Sequence, residues 1–213
     1  MESRMTKIFS DYGKNIALKV YEGHFVTPHS HITHYFDMTT LRTRAAEAAG
    51  VAGALAKKYA LSTVVDTIIC MDGTEVIGAY LAQELTSAGI MIMNAHQTIY
   101  VVSPEFNANG QIIFRDNLKP MIKNKNVVIL VASATTGDTL RSCMECVQYY
   151  GGTVGGISAI FSAIDEIDGI EINSIFTRDQ VPDYHSYTSR ECPCCRAQKK
   201  VDAIVNGFGY SKL

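Results

Sequence analysis

The chain has 213 residues, of which 47% are hydrophobic, enough to bury the core of a single α/β domain and too many for a disordered chain. Nineteen Lys and Arg against 21 Asp and Glu give a net charge of −2, and no basic run stands out, so nucleic acid is not expected as a partner. No stretch approaches the roughly 20 consecutive apolar residues that span a bilayer, and the opening MESRMTKIFSDYGK lacks the apolar core of a secretion signal, so no membrane is expected and the cytoplasm is the expected location.

In chain order, Thr40 to Ala60 is alanine-rich with apolar residues at helical spacing, and Lys57 and Lys58 fall in its last turn, where cations favour the helix dipole; one long helix is expected. Val64 to Cys70 is a short β-branched strand, followed by the turn Met71, Asp72, Gly73, Thr74 and a helix from about Glu75 to Ser87. Ile90 to Met93 and Thr98 to Ser103 are read as further strands. Pro104 to Gly110 is an exposed loop, and Ile112 to Phe114 the return strand of a hairpin. A strand starts at Asn126, a helix follows over Asp138 to Tyr150 and ends at Gly151 and Gly152, and Thr153 to Phe161 and Glu171 to Phe176 are two more strands. Strands separated by helices predict an α/β fold with a largely parallel sheet flanked by helices, binding ligands at the carboxyl ends of its strands.

The most informative run is Asn126 to Leu140, NVVILVASATTGDTL. Val127 to Val131 form a continuous apolar strand, as in a parallel sheet covered on both faces. The side chains then shrink. Ala134, Thr135, Thr136, Gly137, Asp138 and Thr139 let backbone N–H groups approach a ligand closely, and the threonine hydroxyls add hydrogen bonds at the positive end of the next helix. A phosphate is the expected occupant. An ordinary strand-to-helix turn with small N-capping residues is the competing reading.

This run resembles the ribose-phosphate loop of the type I phosphoribosyltransferases, in which four apolar residues, two acidic and two variable ones precede Thr-Thr-Gly-x-Thr. Thr135, Thr136, Gly137 and Thr139 match, while Val131 and Ala132 stand where the family has its acidic pair, so the motif is degenerate. The closest resemblance is to the orotate phosphoribosyltransferases, carried also by Gly23 to Met38, by Val64 to Leu81 and by Thr98 to Arg115. It implies the type I phosphoribosyltransferase fold over one domain, residues 1–213, with 192–213 as a cysteine-containing tail. It further implies a pyrophosphate loop at Met71, Asp72, Gly73 and Thr74, a base pocket near Phe25, Tyr35 and Asp37, Mg²⁺ accompanying phosphoribosyl pyrophosphate (PRPP), and a homodimer. Where the family's hood loop carries arginine and lysines, Pro104 to Gly110 has neither.

Six cysteines without an export signal argue against a disulfide framework. Cys192 and Cys195 have the Cys-x-x-Cys spacing of half a tetrahedral zinc site, for which Cys143 and Cys146 are the candidate other half, although Cys143 also fits a core position beside Leu140 and Val147. His24, His29, His31 and His34, with Asp37 nearby, offer metal-ligating chemistry; a histidine-lined pocket or a solvated loop competes, and no helical His-x-x-x-His signature is present. Asp165, Glu166 and Asp168 are read as a solvated loop. No Ser-His-Asp triad or lysine-bearing phosphate loop occurs. Two functions follow: transfer of phosphoribose from PRPP to a nitrogen base with release of pyrophosphate, or non-catalytic, regulatory binding of PRPP or a nucleotide, favoured by Val131, Ala132 and the uncharged hood.

Overall fold

A computed structural model describes residues 2–87, 93–95 and 97–213. Its strands are β1 (Met5–Ser10), β2 (Gly13–Val26), β3 (His31–Asp37), β4 (Thr67–Cys70), β5 (Tyr100–Val102), β6 (Glu105–Phe106), β7 (Ile112–Ile113), β8 (Asn126–Ala134), β9 (Thr153–Ser162), β10 (Glu166–Ile167), β11 (Ile170–Thr177), β12 (Ser186–Tyr187), β13 (Ala203–Asn206) and β14 (Gly209–Lys212). The helices are α1 (Thr39–Thr43), α2 (Ala45–Tyr59), α3 (Glu75–Thr86), α4 (Asp138–Tyr149) and α5 (Pro193–Arg196).

The central sheet has the order β10-β11-β9-β8-β4-β5. Its pairs from β11 to β5 are all parallel, and β10 adds an antiparallel edge. Alternation along β8 divides the interior: Val128, Leu130 and Ala132 join one core with α2 and α3, while Val127, Ile129 and Val131 join a second with α4. This period of two explains why the strand is apolar throughout; both faces are covered.

The expectation of a largely parallel sheet holds for this layer and fails for the other. A second sheet, β12-β3-β2-β13-β14 with β1 also on β2, is antiparallel except for β2 with β13. Ile16, Leu18, Val20, Phe25 and Tyr35 sink its inner face into the core shared with α2 and α3. The architecture is therefore α/β with mixed sheets. Sequence reading missed this layer because the alternation of Ile16, Leu18 and Val20 is interrupted by lysine, glutamate and histidine in the same stretch.

The helix expected over residues 40–60 is broken. Arg44 is extended, at φ −91° and ψ 115°, which lets α1 bury Leu41 and Arg42 in a direction separate from the α2 face of Ala48, Val51, Ala52 and Leu55. The segment read as an exposed loop closes the two-stranded hairpin β6–β7. The strand expected over 90–93 lies largely outside the described residues. Among the described residues no helix is long and apolar enough to cross a membrane.

Candidate functional site

At the carboxyl ends of β4 and β8, between the two sheets, lies a cleft of about 330 Å³. The β8–α4 connection forms its floor. Gly137 takes the left-handed conformation at φ 83° as N-cap of α4, and no side chain caps that helix. A methyl group at Gly137 would lie 2.9 Å from Cδ1 of Ile167, so the turn needs glycine both for its backbone angle and for its packing. Thr135, Thr136, Asp138 and Thr139 are exposed around it, and the Thr136 hydroxyl donates to the Asp138 carboxylate at 2.9 Å. The first-turn N–H groups of a three-turn helix thus open towards the cleft at the positive end of its dipole.

Opposite stands the β4–α3 turn. Asp72 and Gly73 are both left-handed, at φ 56° and 75°, and the Thr74 hydroxyl donates to the Met71 carbonyl at 2.8 Å and the Leu130 carbonyl at 3.1 Å, tying the turn to β8. Of the turn, Asp72 reaches the cleft. Burial pushes its carboxyl above the ordinary value, against the pull of the Ala132 N–H and the Arg42 guanidinium. Arg42 is only 7% exposed; its Nη1 donates to the carbonyls of Asp72 and of Gly207, while its Nε has no partner. The Tyr184 hydroxyl is likewise buried and unpartnered. Both residues contribute to the cleft wall, with these two atoms sealed beneath its surface.

Of the residues expected at a base pocket, Tyr35 lines the cleft, and burial, with Asp37 beside it, pushes its phenol up to about 12. Phe25 lies in the core with its ring 5.9 Å from that of Tyr35. Asp37 accepts the Thr39 N–H at 2.9 Å and stands 3.9 Å from Lys19; neither it nor Phe25 is part of the cleft wall. Thr27 to Ser30 and Val205 to Gly207 complete that wall. Arg42, Tyr184 and the 205–207 segment were missed from sequence. An arginine near the start of an expected alanine-rich helix gives no signal of where its side chain goes.

The donors for a protein-held Mg²⁺ fit poorly. Val131 and Ala132, 1% and 5% exposed, offer no side-chain oxygen, and Asp72 faces a guanidinium. Just after the β6–β7 hairpin, Arg115 is held in a forked pair with Glu105 at 2.7 and 2.6 Å. Asp168 pairs with Arg141 at 3.4 Å, as a solvated charge does. The proposed zinc partners Cys143 and Cys146 are not near the tail: Cys143 is buried against the second core, where the apolar face of α4 carries it, and Cys146 approaches the Ile112 carbonyl at 3.4 Å.

No family model matches the sequence, and no curated protein does. Solved structures do. The UMP synthase of Leishmania donovani is similar with a TM-score of 0.56 and 20% identity, over 76% of this chain and 34% of that one, so the chain spans about a third of its length. The adenine phosphoribosyltransferase of Trypanosoma brucei in complex with AMP, pyrophosphate and ribose-5-phosphate gives 0.54 and 14%, over 92% and 99%. The orotate phosphoribosyltransferase of Mycobacterium tuberculosis H37Rv gives 0.51 and 16%, over 77% and 92%. The chain has a phosphoribosyltransferase fold. Within that fold, the cleft at the ends of β4 and β8 sits where the parallel sheet opens, the position favoured for ligands in open α/β sheets.

Proposed function

We propose that this protein binds a nucleoside 5′-phosphate or PRPP, with the phosphate on Ala134 to Thr139. The observation that carries this reading is the convergence of the uncapped N-terminus of α4 with Arg42, Asp72, Tyr35 and Tyr184 in one cleft. Phosphate would take the α4 N–H groups and the threonine hydroxyls, and Arg42, a wall residue, would lend its positive charge to the anionic ligand. The Trypanosoma brucei relative in fold holds ligands of this class. Val131 and Ala132 at the ribose side favour binding over turnover, because a positively charged ribose centre gains nothing from them.

Transfer of phosphoribose to a nitrogen base is the second reading. It is favoured by the half-buried Asp72 in the turn before α3, which shares the cleft with the 134–139 turn. Thermal shift and calorimetry with AMP, UMP, ribose 5-phosphate and PRPP test the binding; Thr135→Glu, an exposed change that places a carboxylate at the phosphate position, should abolish it without loss of fold. No stabilisation by any of these compounds refutes the proposal. Pyrophosphate release from PRPP, Mg²⁺ and a panel of bases decides between the two readings.

A further inference from the structure

His24 and His31 flank the turn between β2 and β3, and Cys192 and Cys195 begin α5 at the far end of the chain. Their ligand atoms converge. Nε2 of His24 lies 3.0 Å from Nδ1 of His31 and 3.6 Å from Sγ of both Cys192 and Cys195, and Sγ of Cys195 lies 3.3 Å from Nδ1 of His31. All four atoms fall within 4.8 Å of one another. A tetrahedron with Zn–N of about 2.05 Å and Zn–S of about 2.3 Å has N–S edges of about 3.5 Å and N–N edges of about 3.3 Å. The observed spacings match those edges within a few tenths of an ångström.

We propose that His24, His31, Cys192 and Cys195 hold a structural Zn²⁺ ion. Two thiolates with two imidazoles select zinc over the oxygen-loving cations. Four protein donors leave no open position for water, and His24 and Cys192 are 1% and 2% exposed, so the site is closed and structural rather than catalytic. The outer shell agrees: Nδ1 of His24 donates to the Lys199 carbonyl at 3.0 Å, which fixes the proton on Nδ1 and turns the Nε2 lone pair towards the other three donors. The backbone around the site is also tied. The Asp202 carboxylate accepts the His24 N–H at 2.9 Å and pairs with Arg4 at 2.5 Å, and β13 then runs parallel to β2 at Phe25 and Val26.

The ion joins the two segments that wall the cleft. His24 and His31 straddle Thr27 to Ser30, and α5, which carries Cys195, leads into β13, whose end supplies Val205 to Gly207. The metal contribution to stability is therefore exerted next to the ligand, although its own coordination does not depend on what the cleft binds.

Metal content of the full chain purified after zinc-replete expression tests the site. About one zinc per chain is expected. His31→Gln and Cys195→Ser should each lose it, and Cys194→Ser, which leaves the four donors intact, should keep it. Because either loss variant can misfold, Co²⁺ is also titrated into metal-stripped wild-type protein, where the visible bands of tetrahedral cobalt and a thiolate charge-transfer band should develop and then bleach on addition of Zn²⁺. Absence of both zinc and cobalt bands overturns the proposal. So does zinc retained in both loss variants, or a Cys192–Cys195 disulfide in the native chain.

Discussion

Replacing Gly137 with alanine measures how strictly the phosphate loop depends on its backbone. At φ 83° an L-residue costs roughly 1–2 kcal/mol over its ordinary conformations. The added methyl would meet Cδ1 of Ile167 at 2.9 Å and of Ile164 at 3.1 Å. Both are ends of rotatable side chains, so the packing cost belongs at the low end of overpacking, about 1 kcal/mol. The sum is about 2–3 kcal/mol. Gly169 supplies the control, since it has φ 80° with nothing within 4 Å of an added Cβ; Gly169→Ala should cost only the same backbone term, about 1–2 kcal/mol. Urea unfolding of the two variants isolates the packing term as their difference, and calorimetry with AMP or PRPP on Gly137→Ala should show binding lost, because relaxing φ rotates the N–H groups away from the phosphate. Equal destabilisation by the two substitutions, or undiminished ligand affinity in Gly137→Ala, would refute the reasoning.

Burial raises the Asp72 carboxyl in the folded state, so its stabilising contribution is complete below the unfolded carboxylate range and is lost as pH rises through the folded value. Asp72→Asn, which keeps a side chain tolerant of φ 56°, should therefore raise the urea midpoint at pH 7, with the gap closing on acidification; a gap that widens towards low pH contradicts this. Arg42→Met orphans the Asp72 carbonyl, while the Gly207 carbonyl on the exposed hairpin tip regains water, so about 1–3 kcal/mol should be lost in urea unfolding; a loss under about 0.5 kcal/mol would show that the guanidinium does not bear on the fold. Burial pushes the thiols of Cys70 and Cys143 up to about 12, so both should resist alkylation in native protein with or without chelator and react only on unfolding. Peptide mapping that finds either one modified in the native chain speaks against the packing of the core that holds it.

The central sheet could be read from sequence because its strands are apolar on both faces and its helices carry periodic stripes. The 134–139 turn was legible as a strand-to-helix junction, because small residues and a glycine follow a buried apolar run. The second sheet was harder. In β2, Ile16, Leu18 and Val20 alternate with polar residues as a half-buried strand should, but Lys, Glu and His in the same stretch mask the pattern. At the other end the Asn206-Gly207 pair carries a hairpin signal that few neighbouring residues reinforce. Arg42 stayed hidden because the break at Arg44 has no glycine or proline to announce it. The histidine and cysteine donors were each visible alone, but their pairing spans 171 residues from His24 to Cys195, a separation that no local spacing reports.

The insertion of β13 beside β2 bears on how the chain is made. The segment of β2 that pairs with Ala203 and Ile204 is translated well before its partner, because the chain between them carries the whole of the parallel sheet. Through that interval Phe25 and Val26 have an open edge, the kind of strand border that invites pairing with another chain. Everything on the parallel sheet can be assembled earlier from contacts that are closer in sequence. The cleft wall at residues 205–207 is thus completed only after the strands of the parallel sheet have been made, and a pause or cleavage between β11 and β13 would leave that sheet with an unfinished cleft.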